Sequence, residues 1–347
     1  MTNKFNRDLE NLTIEQIEHE QFLEEIERTK WHRYLQAIKK DWPLYAMLVP
    51  VLLYFFIFRY MPIYGILSAF KDQRVLTVSI GDSPYAGFYA FRSLVSGDYA
   101  PMFWQAFRNT FAISMYGLIF GFPVPIILAL FFSEIKSDVY RSTVQILSYL
   151  PKFISTVVIT SVITLMLYGG NAPHQAPGVL ASFLMDLGMV PEGTRIMLNP
   201  QYFRSVYIIS GIWEGAGYGS IVYFAAVMSI SPTNFEAARI DGASKLSQIR
   251  YVTLPGMAPT LTIMLILRIG EILTVGYEKV ILLYNVQTYA TADVISTFVA
   301  RTGGLMDPTG SVLNVAASAD LFNSIIAMFL VLGANFISRR VSDTSLF

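Results

Sequence analysis

The sequence predicts an all-α integral membrane protein of six transmembrane helices, with both termini cytoplasmic and a helix-turn-helix loop on the cytoplasmic face. Three observations predict it. The 347 residues are 54% hydrophobic and only 14% charged, against about 25% charged in an ordinary soluble domain. Six windows, 42 to 58, 109 to 133, 153 to 185, 215 to 235, 251 to 267 and 321 to 338, contain no Asp, Glu, Lys or Arg, and a bilayer-spanning helix needs about 20 mainly apolar residues. The basic residues between the windows are asymmetric. With the N-terminus inside, Arg28, Lys30, Arg33, Lys39, Lys40, Lys136, Arg141, Arg239, Lys245, Arg250, Arg339 and Arg340 are cytoplasmic, against Lys71, Arg74, Arg92, Arg195 and Arg301 outside, which satisfies the positive-inside rule. Backbone groups in hydrocarbon must be satisfied within the segment, so the spans are helices.

Along the chain, residues 1 to 43 carry Leu9, Leu12, Ile17, Leu23, Ile26, Tyr34, Leu35 and Ile38 near helical spacing among Glu, Arg and Lys. That pattern predicts an amphipathic helix lying on the membrane surface or docking on a partner; an early apolar run typical of a cleavable signal peptide is lacking. Extending the windows to Pro, Gly and Asn clusters puts the spans at about 44 to 70, 105 to 132, 143 to 168, 204 to 229, 257 to 284 and 320 to 338. Between the fourth and fifth, Ser231 and Pro232 can open a short helix with Glu236 near its first turn. Gly242 can close it in the left-handed conformation. Ser244 can cap a second helix, with Leu246, Ile249 and Val252 on one face, until Pro255 stops it. Small residues at 237, 238 and 243 allow close approach of another protein.

The composition excludes several chemistries. Zero cysteines remove disulfides, Cys-ligated zinc and thiol nucleophiles. Net charge is zero, giving no basic footprint for nucleic acid. There is no phosphate-binding GxxxxGK[ST] loop, no HExxH, and the histidines are His19, His32 and His174 only, so the chain is expected to be no enzyme, with catalytic residues none and metal none.

Glu236-Ala237-Ala238, Gly242 and Leu254-Pro255, with Val252 in the isoleucine position, resemble the Glu-Ala-Ala, three residues, Gly, nine residues, Ile, one residue, Leu-Pro pattern of permease subunits of binding-protein-dependent ABC importers. Asn109-Thr110, Ile212-Trp213, Ile240-Asp241-Gly242-Ala243 and Ala334-Asn335 are similar to the sugar-importer permeases. Pro50, Tyr60-Met61-Pro62-Ile63-Tyr64-Gly65, Ala69-Phe70-Lys71, Arg268-Ile269-Gly270-Glu271 and Tyr277-Glu278-Lys279-Val280 are similar to the polysaccharide branch, which includes the alginate importer and the lipoprotein-type permeases. The resemblance implies an ATPase-coupling loop of Glu236, Ala237, Ala238, Asp241, Gly242, Ala243, Leu246, Leu254 and Pro255. It implies a second homologous permease, two ATP-binding subunits that alone hold ATP and Mg, and an external solute-binding protein, lipid-anchored or periplasmic. A saccharide then crosses the bacterial cytoplasmic membrane by alternating access. The chain would divide into an amphipathic segment (1–43), a first transmembrane helix with external loop (44–104), a core ABC permease domain (105–340, coupling loop 231–255) and a tail (341–347).

Ionisable residues at membrane depth are expensive and mark function or pairing. Arg59, Lys152, Glu214, Arg268, Glu271, Glu278 and Lys279 are such residues. Arg59 and Lys152 can snorkel to the interfaces. Arg268, Glu271 and Glu278 would share a face of one long fifth helix, with Arg268 and Glu271 either paired or meeting ligand. Glu214, Tyr218, Glu271, Tyr277, Glu278 and Tyr284 are candidates for the substrate pathway, because aromatic rings stack on pyranose faces and carboxylates accept from hydroxyls. The glycines around Glu214 (Gly215, Gly217, Gly219) permit close packing or a local break. An ion-coupled secondary transporter using Glu214 and Glu271 as proton sites is the competing reading; the Glu-Ala-Ala loop has no place in it.

Overall fold

The computed structural model describes residues 38–72, 79–168, 177–306 and 311–341. The expected amphipathic segment before residue 38 and the tail after 341 therefore lie outside the described residues. The chain forms two units, Met1–Gly65 and Ile66–Phe347, and among the described residues the only β-pairing is an isolated bridge between Lys71 and Tyr85.

In the first unit, α1 (Trp42–Phe55) passes into a π-helical turn, Phe56–Tyr60. A 3-10 stretch, Met61–Phe70, carries the helix across the unit boundary. All of α1 is exposed, and a helix apolar on every side suits lipid rather than water.

The second unit contains α2 (Tyr89–Ser96), α3 (Ala100–Tyr116), α4 (Pro123–Glu134), α5 (Asp138–Tyr149), α6 (Thr156–Tyr168), α7 (Val179–Asp186) and α8 (Pro200–Met228). It continues with α9 (Pro232–Ile240), α10 (Lys245–Gln248), α11 (Leu254–Gly270), α12 (Tyr277–Leu283), α13 (Tyr289–Ala292), α14 (Ile295–Thr302) and α15 (Leu313–Val341). Four continuous helices, Trp42–Phe70, Ala100–Glu134, Lys245–Gly270 and Leu313–Arg339, are long and apolar enough to span a bilayer, and a bent pair supplies a fifth. α8 has 29 residues, enough length for a span, but carries Arg204, Glu214 and four glycines.

Two expected spans differ in the structure. The segment expected as one helix over 143–168 is α5, a 3-10 turn at Leu150–Phe153, and α6, bent by 97°. Pro151 removes a backbone donor there, and the Ser155 hydroxyl accepts from the Val158 N–H to start the new helix. The segment expected as one helix over 257–284 ends at Gly270. The chain turns through Glu271–Gly276, with the Thr274 N–H donating to Glu271 O at 2.8 Å, before α12 begins. Arg268, Glu271 and Glu278 therefore do not share a helix face.

α8 is the centre of the second unit, packed along α4 and α5. Gly217 lies so close to the Ser148 carbonyl that any side chain would collide, and α8 runs unbroken through it, so this glycine serves packing. Outside α8's N-terminal half, polar side chains tie the 285–302 segment to the helices. Asn109 Nδ2 donates to Ala290 O and Asp293 O at 3.1 and 2.9 Å, and Asn109 Oδ1 accepts from Arg204 Nη2 at 2.9 Å. Thr110 Oγ1 accepts the Ile295 N–H at 2.9 Å. Arg301 pairs with buried Asp293 at 2.7 Å. Burial works against the Arg301 charge, but the bond and charge of Asp293 outweigh it and hold the guanidinium above its usual pKa.

Candidate functional site

The loop between α8 and α11 is a projecting bracket. No residue of α9 is buried, and Ile240 and Leu246 are 87% and 76% exposed. Ser231 occupies the N-cap position of α9, although its hydroxyl pairs with Thr233 Oγ1 at 2.7 Å instead of capping the backbone. Gly242 closes the helix at φ +74°, a conformation that costs a side-chain-bearing residue about 1–2 kcal/mol. Around it the Gly242 N–H donates to Arg239 O and the Ala243 N–H to Ala238 O, at 3.1 and 2.9 Å. These bonds close the helix end. Ser244 then caps α10 by accepting from the Ser247 N–H at 3.3 Å.

Pro255 does not stop the second helix. The chain takes a π-helical turn at Ile249–Thr253, the Leu254 N–H reaching back to Ile249 O, and continues as α11. A wide turn before a residue that cannot donate absorbs the missing hydrogen bond without ending the helix. The bracket is thus rigidly continuous with the Lys245–Gly270 span. It is tethered elsewhere by Lys245 Nζ to Glu134 Oε2, 2.6 Å, at the end of α4. Glu236, Ala237, Asp241, Leu254 and Pro255 are exposed, and Ala238 and Ala243 are half-buried.

Within the second unit a cavity of about 600 Å³ lies between α3, α4, α8, α11 and the turn after α11, with Lys152 at its side. Its charged lining is Lys152, Glu214, Arg268, Glu271 and Lys279. Glu214 holds two lysines: Oε2 accepts from Lys279 Nζ at 3.1 Å and Oε1 from Lys152 Nζ at 3.5 Å. Lys279 is also 5.6 Å above the Tyr207 ring. Arg268 and Glu271 form a more exposed pair at 3.3 Å.

Of the six pathway candidates, Glu214 and Glu271 line this cavity and Tyr218, Tyr277, Glu278 and Tyr284 do not. Tyr218 is exposed with Phe153 edge-on at 6.0 Å. Tyr277 and Glu278 are exposed at the start of α12. Tyr284 lies tilted against Tyr289, ring centroids 4.8 Å apart, and its hydroxyl donates to Met306 Sδ at 3.8 Å. Glu278 does not hold Lys279, although the two are adjacent, because successive residues point to different sides of a helix. Lys152, half-exposed, turns its ammonium to Glu214. Sequence reasoning flagged all three members of the Glu214 cluster one at a time, yet separations of 62 and 65 residues leave no periodicity to connect them.

Fold and bracket together define a multi-helix membrane protein with an exposed, helix-coupled hook. The chain belongs to the family of binding-protein-dependent transport system inner membrane components, which it matches over residues 121–341. It is a multi-pass protein of the cytoplasmic membrane. It is 33% identical over 320 residues to the protein LplB of Bacillus subtilis (strain 168), covering 90% of this chain and 94% of that one. It is 31% identical to YteP of the same organism, a polygalacturonan/rhamnogalacturonan transport system permease, covering 92% and 95%. Among solved structures, a chain of a bacterial ABC transporter involved in import of the acidic polysaccharide alginate superposes with a TM-score of 0.77 at 41% identity, covering 89% of this chain and 99% of that one. A second structure, of a bacterial alginate ABC transporter in complex with an alginate pentasaccharide-bound periplasmic protein, gives 0.76 at 40%, covering 90% and 99%.

Proposed function

We propose that this chain is the membrane-spanning permease subunit of an ATP-driven importer that passes an oligosaccharide or polysaccharide fragment into the cell. The observation that carries the reading is the bracket at 231–255, with no buried residue in α9, fixed by the left-handed turn at Gly242, and continuous with α11 so that a push on it moves a span. It works with a second homologous permease, two ATP-binding subunits and an external solute-binding protein. ATP and Mg belong to the ATPases, whose closure would swing the bracket and reorient the spans by alternating access. α8 makes the sixth span, and both termini are cytoplasmic. Glu214 and Glu271 face the pathway in this reading; Tyr218, Tyr277, Glu278 and Tyr284 meet substrate only in another state or from the partner's side.

Two experiments test it. Saccharide uptake should stop when the partner ATPase is inactivated and survive collapse of the ion gradients; the reverse result would favour an ion-coupled transporter instead. A reporter fused after Ser244 should read as cytoplasmic and one inserted in the exposed turn at Gly193 as external. Opposite readings at either position would break the six-span topology.

A further inference from the structure

We infer that Glu134 and Lys245 are a positioning pair, a strut through which the bracket drives the Ala100–Glu134 span together with Lys245–Gly270. This rests on the permease reading of the bracket and deepens it. The π turn at Ile249–Thr253 joins the bracket to α11, and a lever attached at one point alone can pivot there. The second point is Lys245 Nζ, 2.6 Å from Glu134 Oε2 and 111 residues away in the chain. Glu134 is the last residue of α4. The two side chains are well exposed, Lys245 at 65% and Glu134 at 46%, so the pair adds little to stability. Its effect is to set the distance between α10 and the end of α4.

Both ends of the strut are held. On the bracket side, Ser244 caps α10, and the buried Gln248 amide donates to Ala243 O at 2.9 Å, so the turn that carries Lys245 is fixed against the Gly242 corner. On the α4 side, Arg141 donates to Ile135 O at 3.5 Å, one residue past Glu134, and its guanidinium lies 5.9 Å over the Phe224 ring of α8. Behind the strut, Ala129 of α4, Tyr223, Ala226 and Val227 of α8 and Met257 of α11 form one buried cluster. At Gly256 a Cβ would come within 2.6 Å of Ile230 Cδ1, so the start of α11 is pressed against the chain leaving α8. Close-packed interiors transmit displacement with little compression. The bracket-side ends of α4, α8 and α11 therefore move as one block, gripped by the bracket at α11 and at α4. A displacement of α9 is delivered to all three helices instead of being absorbed as rotation about the π turn.

The test uses the whole transporter with its ATPases and solute-binding protein in liposomes, and reads uptake of a tritiated mixture of neutral and uronate oligosaccharides per ATP hydrolysed. Lys245→Glu and Glu134→Lys should each lower that ratio about fivefold, the order an exposed ion pair supplies. The ATPases should still copurify, and thermal unfolding should match the parent. The double variant Lys245→Glu with Glu134→Lys should recover the ratio, because the strut is rebuilt with its charges exchanged. Single variants with the parental ratio, a double variant no better than the singles, or loss of the ATPases from either single would each overturn the assignment. A covalent strut gives an independent check. The chain has no cysteine, so Glu134→Cys with Lys245→Cys offers one pair to a short bismaleimide, and the cross-linked protein should keep the uptake that either cysteine variant alone loses. Uptake blocked by the cross-link would mean that the pair must open during the cycle, and the strut would be refuted. A parent protein that shows no ATP-dependent uptake sinks the permease reading and this inference with it; normal parental uptake with unaffected variants sinks the inference alone.

Discussion

Glu214→Ala should strongly destabilise the protein. The carboxylate lies 15% exposed between two lysines, and removing it takes from the Lys279 ammonium, 11% exposed, the oxygen that holds it at 3.1 Å. Breaking a buried pair by deleting one partner costs about 3–5 kcal/mol. The purified permease should therefore unfold at markedly lower temperature, and the yield of assembled transporter should fall. Glu214→Gln should cost less, since its amide oxygen still accepts one hydrogen bond. The double variant Glu214→Leu with Lys279→Met should recover most of the loss, because apolar replacement of a whole buried pair is commonly neutral or favourable. A Glu214→Ala protein as stable as the parent would mean that the cluster is solvated and not structural. Stability retained with transport lost would instead make Glu214 a pathway residue.

Gly242→Val should uncouple the permease from its ATPase while sparing the membrane fold. No atom lies within 4 Å of the position a Cβ would take, so there is no clash, and the effect is confined to the backbone at φ +74°. For a β-branched residue this conformation is a strained outlier costing about 1–3 kcal/mol. Relief of the strain would break the Ala243 N–H to Ala238 O bond and shift Ala243 O, which accepts from Gln248 Nε2 at 2.9 Å. α9 and α10 would then lose their mutual angle. Copurification of the ATPase and ATP-dependent uptake should both drop sharply, with thermal unfolding of the spans unchanged. Gly242→Asn should be milder, because Asn tolerates the left-handed region. Full copurification with Gly242→Val would remove the bracket from coupling.

The bracket was almost fully legible in the linear sequence because its determinants are local. Pro232 at a helix start, Gly242 at a helix end and Ser244 at the next cap each act within four residues, and the structure places all three in those roles. Pro255 is the exception. As a lone residue it predicts a stop, and only the π turn at Ile249–Thr253 shows that the helix passes through it. A wider turn is a cooperative property of the backbone ladder, invisible in residue type.

The all-α class and the presence of several membrane-spanning helices followed from composition, since hydrocarbon leaves a chain few ways to satisfy its backbone. What only the tertiary structure decided is where the spans break and which charges meet. The 97° bend at Pro151 to Ser155 and the end of α11 at Gly270 put Glu278 on a different element from Glu271. They also bring Lys152 and Lys279 to Glu214 from segments 62 and 65 residues away. Burial of an ion pair depends on distances between elements packed from remote parts of the chain, and no periodicity encodes those distances. The sequence by itself determined that this is a membrane permease with a helix-turn-helix hook between two of its helices; the packing of α8 against its neighbours determined that Lys152 and Lys279 gather around Glu214.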